Sequence, residues 1–570
     1  MFQDFKKQIF KVLSDIKIFG VLLSDLEKFN ISIMEEPKEQ TKGDFSLPCF
    51  LFSKELGKKP TEIADEIFME LRSVKNDVFC FERVGAYVNF FVNNEFLFDR
   101  INYFFKKSCP HPALAKKEKI LLEYSSPNAN KAQHLGHLRN NVLGISISNI
   151  LSYVGYNVST CMIMNDKGTA ISKALYMYMN LGRKYDPKID GRSDDFIGSL
   201  YSSYSKLEKK NPLVKEKIQE INRKWEDSDF EVRKNWKEMC NLVYKGYDDF
   251  YERLGCKFDK RYYESDIYKK GKDIVLQGLK KGIFKESEGA IVSDLEKFNI
   301  SDTILLKSDG TTLYITQDLF LSKIKVKDFH PSKSIYIVSN EQNLHFKQLF
   351  KILEQLNYCK KEDSLYHLSY GYVYLPDGRM KSREGNVIQA MDLIDEVSEL
   401  IYKNLKDREN EGENLKEKAE SLAISAIKFQ FLKINSKKDM IFDPKKSVSI
   451  FGETSLYIQY TYSRIDSLIK KSNFSNFNIS SLSINMDIER DIIRKILKFN
   501  DIIISSALLY DPSVLCKYLI EISGLYNDYY QNNKILGSEN EESSLNISFF
   551  VSNIIKKGLE ILDIKIFNRI

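Results

Sequence analysis

By the spacing of its apolar and polar positions, the chain divides into three stretches. The first opens on an amphipathic helix and passes through a loop from Glu36-Pro37 to Gly43-Asp44. A helix over residues 60–72 follows, then β-rich segments, of which Gly85-Ala86-Tyr87-Val88-Asn89-Phe90-Phe91-Val92 is the clearest strand. Cys109-Pro110-His111-Pro112, with a charge run at 116–119, marks a linker. In the second stretch a strand over 119–124 leads through Ser125-Ser126-Pro127-Asn128 into a helix that reaches Val154. A strand over 158–164, a turn at Asn165-Asp166-Lys167-Gly168 and another helix come next. That β–α–β–α order predicts a parallel doubly wound sheet. Residues 183–262 are charged and helical, in the manner of an insertion, and strand signals return at 304–307, 313–316, 335–338 and 370–374. From 390 onward only helices are predicted, over 390–408, 413–435, 446–472, 486–509, 513–533 and 546–563, which makes an all-α bundle.

Composition narrows the class. A chain of 570 residues exceeds one hydrophobic core, and 43% hydrophobic with 29% charged residues is the makeup of an ordinary folded protein. No apolar run approaches the ~18 residues that span a bilayer. The N-terminus lacks the basic head and apolar core of a secretory signal. A cytoplasmic protein with no membrane partner is expected. The eight cysteines are scattered without any Cys-x-x-Cys pair, which excludes a zinc ribbon or disulfide framework, and each is expected to be a buried apolar thiol. The net charge of +6 permits a nucleic-acid partner without requiring one.

Two segments carry chemistry. In Ser125-Ser126-Pro127-Asn128-Ala129-Asn130-Lys131-Ala132-Gln133-His134-Leu135-Gly136-His137, two of only six histidines stand three apart at the start of a helix after a strand. Free N–H groups of a first helical turn suit a phosphate, paired imidazoles add donors, and Gly136 would admit a ligand close to the backbone. The same spacing suits a metal, but no third ligand lies nearby in sequence; two surface histidines of no consequence are the bland alternative. The second segment, Leu375-Pro376-Asp377-Gly378-Arg379-Met380-Lys381-Ser382-Arg383-Glu384-Gly385-Asn386, is a glycine-bounded cationic loop after a strand. Such a loop can stabilise a triphosphate leaving group, and alone it would read as a solvated charge run.

Together, and in this order, the two segments resemble the class I aminoacyl-tRNA synthetases. His134-Leu135-Gly136-His137 is similar to their HIGH motif, and Arg379-Met380-Lys381-Ser382-Arg383 to a variant of their KMSKS loop. Glu123-Tyr124-Ser125-Ser126-Pro127-Asn128, Lys131 and His137-Leu138-Arg139 narrow the resemblance to the arginyl-tRNA synthetase family. The resemblance covers almost the whole chain. It implies an N-terminal α+β domain over 1–112 that contacts the tRNA elbow, a Rossmann-type catalytic domain over 116–395, and a helical anticodon-binding domain over 396–570.

The resemblance also implies roles. His134, Gly136, His137 and Met380 would bind ATP. His134 and His137 would steady the reacting phosphate, and Arg379, Lys381, Ser382 and Arg383 the pyrophosphate. Ser382 occupies the usual loop-lysine position, and Lys131 would supply the missing cation. A guanidinium needs charged acceptors in a fork, and Glu264 and Asp318, with Tyr314 on the same helical face as Asp318, match the family's pair. Glu123, Ser126, Asn128 and Gln342 would hold the α-amino and α-carboxylate groups; Asn128 also reads as a helix cap. Tyr457, Tyr460 and Arg464 share one helical face and resemble the anticodon-contacting helix. Ser455-Leu456 stands where the family usually has Gly-Pro, Tyr462-Ser463 where it has His-Ala, and the Asp-Ala-Leu-Arg signature does not appear around 546–551. The implied partners are tRNA(Arg), L-arginine and ATP with Mg²⁺ accompanying it, no zinc, and a monomer. A small-molecule nucleotidyltransferase would not need the helical stretch, and a silent tRNA-binding paralogue would not need intact paired histidines and acids.

Overall fold

The computed structural model describes the whole chain except residues 1, 38–42, 108–111, 113, 115–116, 360–363, 377–387, 407–413, 473, 475 and 569–570. Much of the expected linker and the whole cationic loop therefore lie outside the described residues.

The first domain is built on α1 (Phe2–Ser14), whose Phe2, Phe5, Ile9 and Leu13 are fully buried. It packs with α2 (Pro60–Ser73) over an antiparallel sheet of β1 (Phe45–Pro48), β2 (Phe79–Val84) and β3 (Tyr87–Val92), in the order β1-β3-β2. Cys80 corrects the expectation of uniformly buried thiols. It is exposed, because β2 alternates faces and Cys80 falls on the solvent side. The helix α3 (Asn94–Lys106) leaves the sheet, and its Phe105 ring stacks on Phe550 at 4.4 Å.

The second domain holds five parallel strands: β4 (Lys119–Glu123), β5 (Asn157–Met164), β6 (Lys260–Tyr263), β7 (Lys333–Ser339) and β8 (Leu365–Tyr370), in the order β8-β7-β4-β5-β6. Parallel strands need crossovers, here helical. Between β4 and β5 runs α4 (Leu135–Tyr153), and after β5 come α5 (Thr169–Met179), α6 (Ser193–Lys210), α7 (Val214–Glu226) and α8 (Phe230–Leu254). The order reverses between β4 and β7, and a crevice opens there outside the carboxyl ends of the strands. The expected strand over 313–316 is instead the start of a helix, α9 (Tyr314–Phe329). Its β-branched residues are overridden locally: Thr316 Oγ1 accepts from the Leu313 N–H at 3.3 Å and donates to the Leu305 carbonyl. The next helix is α10 (Asn343–Gln355).

A short strand β9 (Val373–Tyr374) pairs in parallel with β10 (Met440–Ile441), far along the chain. The helical region contains α11 (Ala390–Lys406), α12 (Leu415–Leu432), α13 (Ser455–Lys471), α14 (Asp487–Leu497), α15 (Phe499–Leu509), α16 (Ser513–Asn532) and α17 (Glu541–Ile561). Two expected helices come out differently. The 446–472 stretch opens on the end of a single turn (Pro444–Ser447), and its long helix begins only at Ser455, where Thr454 caps the Tyr457 N–H at 3.1 Å; 486–509 is two helices that meet at Lys498. Asp44 of the first domain, 1% exposed, pairs with Arg490 at 2.9 Å and Arg494 at 2.5 Å of α14, which docks the first domain onto the bundle. Among the described residues no helix is long and apolar enough to cross a membrane.

Candidate active site

The crevice at the strand reversal contains a cavity of about 420 Å³. Ser126, His134, Gly136, His137, Asn140, Ser339, Glu341, Gln342 and the Tyr370–Val373 segment line it. Five expected residues therefore meet there. Ser125 makes the approach, with a left-handed backbone at φ 64 that a serine adopts only under constraint. Its N–H donates to Asn140 Oδ1 at 2.6 Å and its Oγ is 2.8 Å from the Tyr251 hydroxyl. Asn140 in turn donates to the Ile337 carbonyl at 2.6 Å, which ties β4, α4 and β7 together beneath the cavity.

The histidines interlock at the helix start. His134 is the N-cap of α4, so the cap reading for Asn128 is corrected: Asn128 lies six residues before the cap and bridges Asn165 instead. The His134 Nδ1 accepts from the Gly136 N–H and the His137 Nδ1 from the His134 N–H, both at 3.1 Å. The rings lie 3.9 Å apart. Burial, with Lys131 nearby, lowers the His134 pKa to about 4, and burial, His134 and Lys131 hold His137 well below its ordinary value. Both imidazoles are therefore neutral near pH 7, and with Nδ1 accepting, each keeps its proton on Nε2. The first-turn amide expected to meet phosphate at Gly136 is already bonded, and the His134 ring stands 3.1 Å from where a Cβ at Gly136 would be. The two imidazole Nε2–H groups remain as donors for an anion, and the nearby Lys131 ammonium adds positive charge, its own pKa lowered by burial.

The helical insertion turns out to hold the motif in place. Tyr247 of α8 donates its hydroxyl to the carbonyls of both Asn128 and Lys131 at 2.7 Å, pinning the segment before His134.

The expected acidic fork lies along the same strand ends. Glu264 follows β6 and is 3% exposed, with its Oε2 lacking a hydrogen-bond partner among the described residues. Burial first, and Asp166 second, raise its pKa to about 7. Tyr314, 68% exposed, and Asp318 stand one turn apart on α9. His345 on α10 meets Asp318 at 2.7 Å, and Gln342 precedes that helix. Glu123 is used differently from expectation: at the end of the central strand its carboxylate is paired with Lys325 of α9, 2% exposed. Asn128 and Ser126 are exposed at the mouth.

Arg379, Met380, Lys381, Ser382 and Arg383 lie outside the described residues. In the bundle, Tyr460 and Arg464 form a stack. The Arg464 guanidinium is 4.9 Å from both the Tyr460 and Tyr530 rings and donates to Asn527 at 2.9 Å. Tyr457 is partly buried against the helical core.

Sequence reading missed Asp166, His345 and Lys325. Asp166 looked like a turn residue, yet it is 1% exposed and accepts from the Ser265 N–H and Oγ at 2.8 Å and the Tyr244 hydroxyl at 2.9 Å. Burial raises its pKa.

Comparison with known proteins identifies the family. Residues 3–92 match the arginyl tRNA synthetase N terminal domain, 102–444 the class I (R) tRNA synthetase catalytic domain, and 458–570 the DALR anticodon binding domain. The last match holds although the four letters Asp-Ala-Leu-Arg are missing around 546–551. An arginine–tRNA ligase of Borrelia hermsii is 34% identical over 99% of this chain and 98% of its own length. One from Treponema denticola is 36% identical over 91% of this chain and 90% of its own. The solved arginyl-tRNA synthetase of Thermus thermophilus superposes with a TM-score of 0.81 at 22% identity, covering 100% of both chains, which speaks for the fold. Three domain matches in order, with relatives over nearly the full length, place the chain in the arginyl-tRNA synthetase family of class I synthetases.

Proposed function

We propose that the protein is an arginine–tRNA ligase whose strand-reversal cavity receives ATP and whose Glu264–Asp318 region receives the arginine guanidinium. In the first step an oxygen of the arginine carboxylate attacks the α-phosphorus of ATP. The bond to the β-phosphate oxygen breaks, giving arginyl-adenylate and pyrophosphate. In the second, the 2′-hydroxyl of the terminal adenosine of tRNA(Arg) attacks the activated carbonyl and AMP leaves.

The observation that carries this reading is the pair of interlocked neutral imidazoles. Two Nε2–H donors held by the backbone need no reorganisation as charge builds on the phosphate, and the Lys131 cation adds to them. Neutral imidazoles also avoid binding ATP too tightly in its ground state. Glu264, buried with an unused oxygen and a neighbouring acid, is a site waiting for a cation. Gln342 and Ser126, which line the cavity, would hold the substrate's α-amino and α-carboxylate groups. Glu341, which lines the cavity, accepts from the Tyr372 hydroxyl at 2.5 Å. Mg²⁺ would accompany ATP, held mainly by the nucleotide's own oxygens, where it offsets phosphate charge. The Tyr460–Arg464–Tyr530 stack offers ring faces and a cation to anticodon bases. A cytoplasmic monomer and domain limits near 112 and 395 complete the proposal.

ATP–pyrophosphate exchange tests it. Exchange is expected with arginine and tRNA(Arg) together. Robust exchange with arginine and no tRNA would remove the tRNA-dependent part, and exchange driven by cysteine or glutamate would overturn the substrate.

A further inference from the structure

Arg139 has no exposed surface, and its recorded hydrogen bonds all run to backbone carbonyls. It sits on α4 two residues after His137. Its Nη1 donates to Gly371 at 2.7 Å and Tyr372 at 3.3 Å, both on the cavity wall. Its Nη2 donates to Lys438 at 2.8 Å, Ser436 at 3.1 Å and Asn435 at 3.4 Å, all in the loop after α12 of the helical region. One guanidinium fork thus grips the motif helix, the cavity wall and the loop after α12.

The wall and the loop are also sutured directly. The Gly371 N–H donates to Ser436 at 3.0 Å and the Tyr372 N–H to Asp439 Oδ1 at 2.8 Å, while the Met440 N–H donates to Tyr372 at 2.9 Å. A Cβ at position 371 would come within 2.5 Å of Asp439 Oδ1, so only glycine allows this approach. Farther along, Asn435 donates to Asp511 at 2.6 Å, just before α16, the helix whose Asn527 holds Arg464. A continuous chain of contacts therefore runs from the Tyr460–Arg464 stack to the cavity.

We propose that Arg139 and Asp439 are positioning residues that set the Gly371–Val373 cavity wall by the placement of the loop 435–440 that follows α12. That loop would then act on ATP geometry without touching ATP. This rests on the reading of the cavity as the ATP site. A buried arginine that merely satisfies loop carbonyls would support folding but would not select among substrates.

The test separates those cases in the full-length protein. Asp439 is exposed, so Asp439→Ala should leave the fold intact even where Arg139→Lys does not. Asp439→Ala is expected to lower kcat/KM for ATP about tenfold, with the arginine KM, the tRNA dissociation constant and the melting temperature nearly unchanged. Asp439→Asn keeps an Oδ1 acceptor for Tyr372 and should recover most of that loss. Wild-type ATP parameters in Asp439→Ala, or no recovery in Asp439→Asn, would overturn the proposal. His134→Ala is the companion measurement. If it too leaves ATP kinetics unchanged, the reading of the cavity fails; if it is defective while Asp439→Ala is normal, only the clamp fails.

Discussion

Replacing Glu264 by Gln should produce a more stable protein and a poorer enzyme. The carboxyl is 3% exposed, has one oxygen unpartnered, and faces Asp166. Holding it at about 7 rather than 4.5 means that ionising it in the folded protein costs about 3 kcal/mol more than in water. Because the folded pKa lies above the unfolded one, the folded state keeps a proton that the unfolded chain has lost between those values. Stability therefore falls as pH rises from about 4.5 through about 7, and the full cost persists above that. Glutamine keeps the shape and removes the charge, so Glu264→Gln should gain up to about 3 kcal/mol at pH ~8 and almost nothing at pH ~4. Arginine acts in the opposite direction. Its guanidinium favours the carboxylate, so binding releases a proton near neutrality and the arginine KM should fall as pH rises through about 7. With Gln that slope disappears and arginine binding weakens by roughly 2–4 kcal/mol. Thermal scans at the two pH values and arginine KM profiles for both proteins are the assays. A mutant destabilised equally at both pH values, or one with an unchanged arginine KM, refutes the account.

Asp318→Asn should also raise the arginine KM, by roughly 2–4 kcal/mol in binding, with ATP binding little changed; a wild-type KM and turnover would make Asp318 an ordinary surface acid. Lys131→Ala should slow adenylation by ~10²-fold or more at nearly unchanged tRNA affinity, as expected for a cation acting on the transition state. Rapid quench would show the reverse order if Lys381→Ala were the more severe. The same Lys131→Ala change should raise the His134 pKa from about 4, since Lys131 is its second cause of depression, and an NMR titration reads this directly. Lys325→Met strands a buried Glu123 carboxylate, so stability should drop by about 3–5 kcal/mol, and adding Glu123→Leu should restore most of it. An unchanged melting temperature in the single variant would mean that water already reaches Glu123.

The architecture was legible because it rests on local periodicity. The β–α–β–α alternation from 119 to 179, and the unbroken helical spacing after 390, each predict their elements without distant information. The elements misread are those in which a distant or capping bond overrules the local preference. Tyr314-Ile315-Thr316 has strand-like residues, but Thr316 ties back to Leu313 and Leu305, and the helix starts there. The stretch before Ser455 has helical spacing, yet Gly452 at φ 79 and the Thr454 cap delay the helix. Cys80 could not be assigned a face until the register of β2 on β3 was known.

For the site, the sequence alone determined the two motif segments, the order of the domains and, through the family resemblance, the choice of Glu264 and Asp318 among 79 acidic residues. Those are properties of residue identity and spacing, which survive unfolding. Protonation states and couplings do not survive it, and only the tertiary structure decided them. His134 and His137 are neutral because folding buries them and commits each Nδ1 to a backbone N–H, which leaves Nε2–H for a ligand. The Glu264 pKa is raised first because folding takes the carboxyl out of water and second because it brings Asp166, nearly a hundred residues away, beside it. Arg139 joins three parts of the chain because its carbonyl partners lie more than two hundred residues downstream. A charge or hydrogen bond takes its energy from what surrounds it, and those surroundings exist only once distant segments have packed.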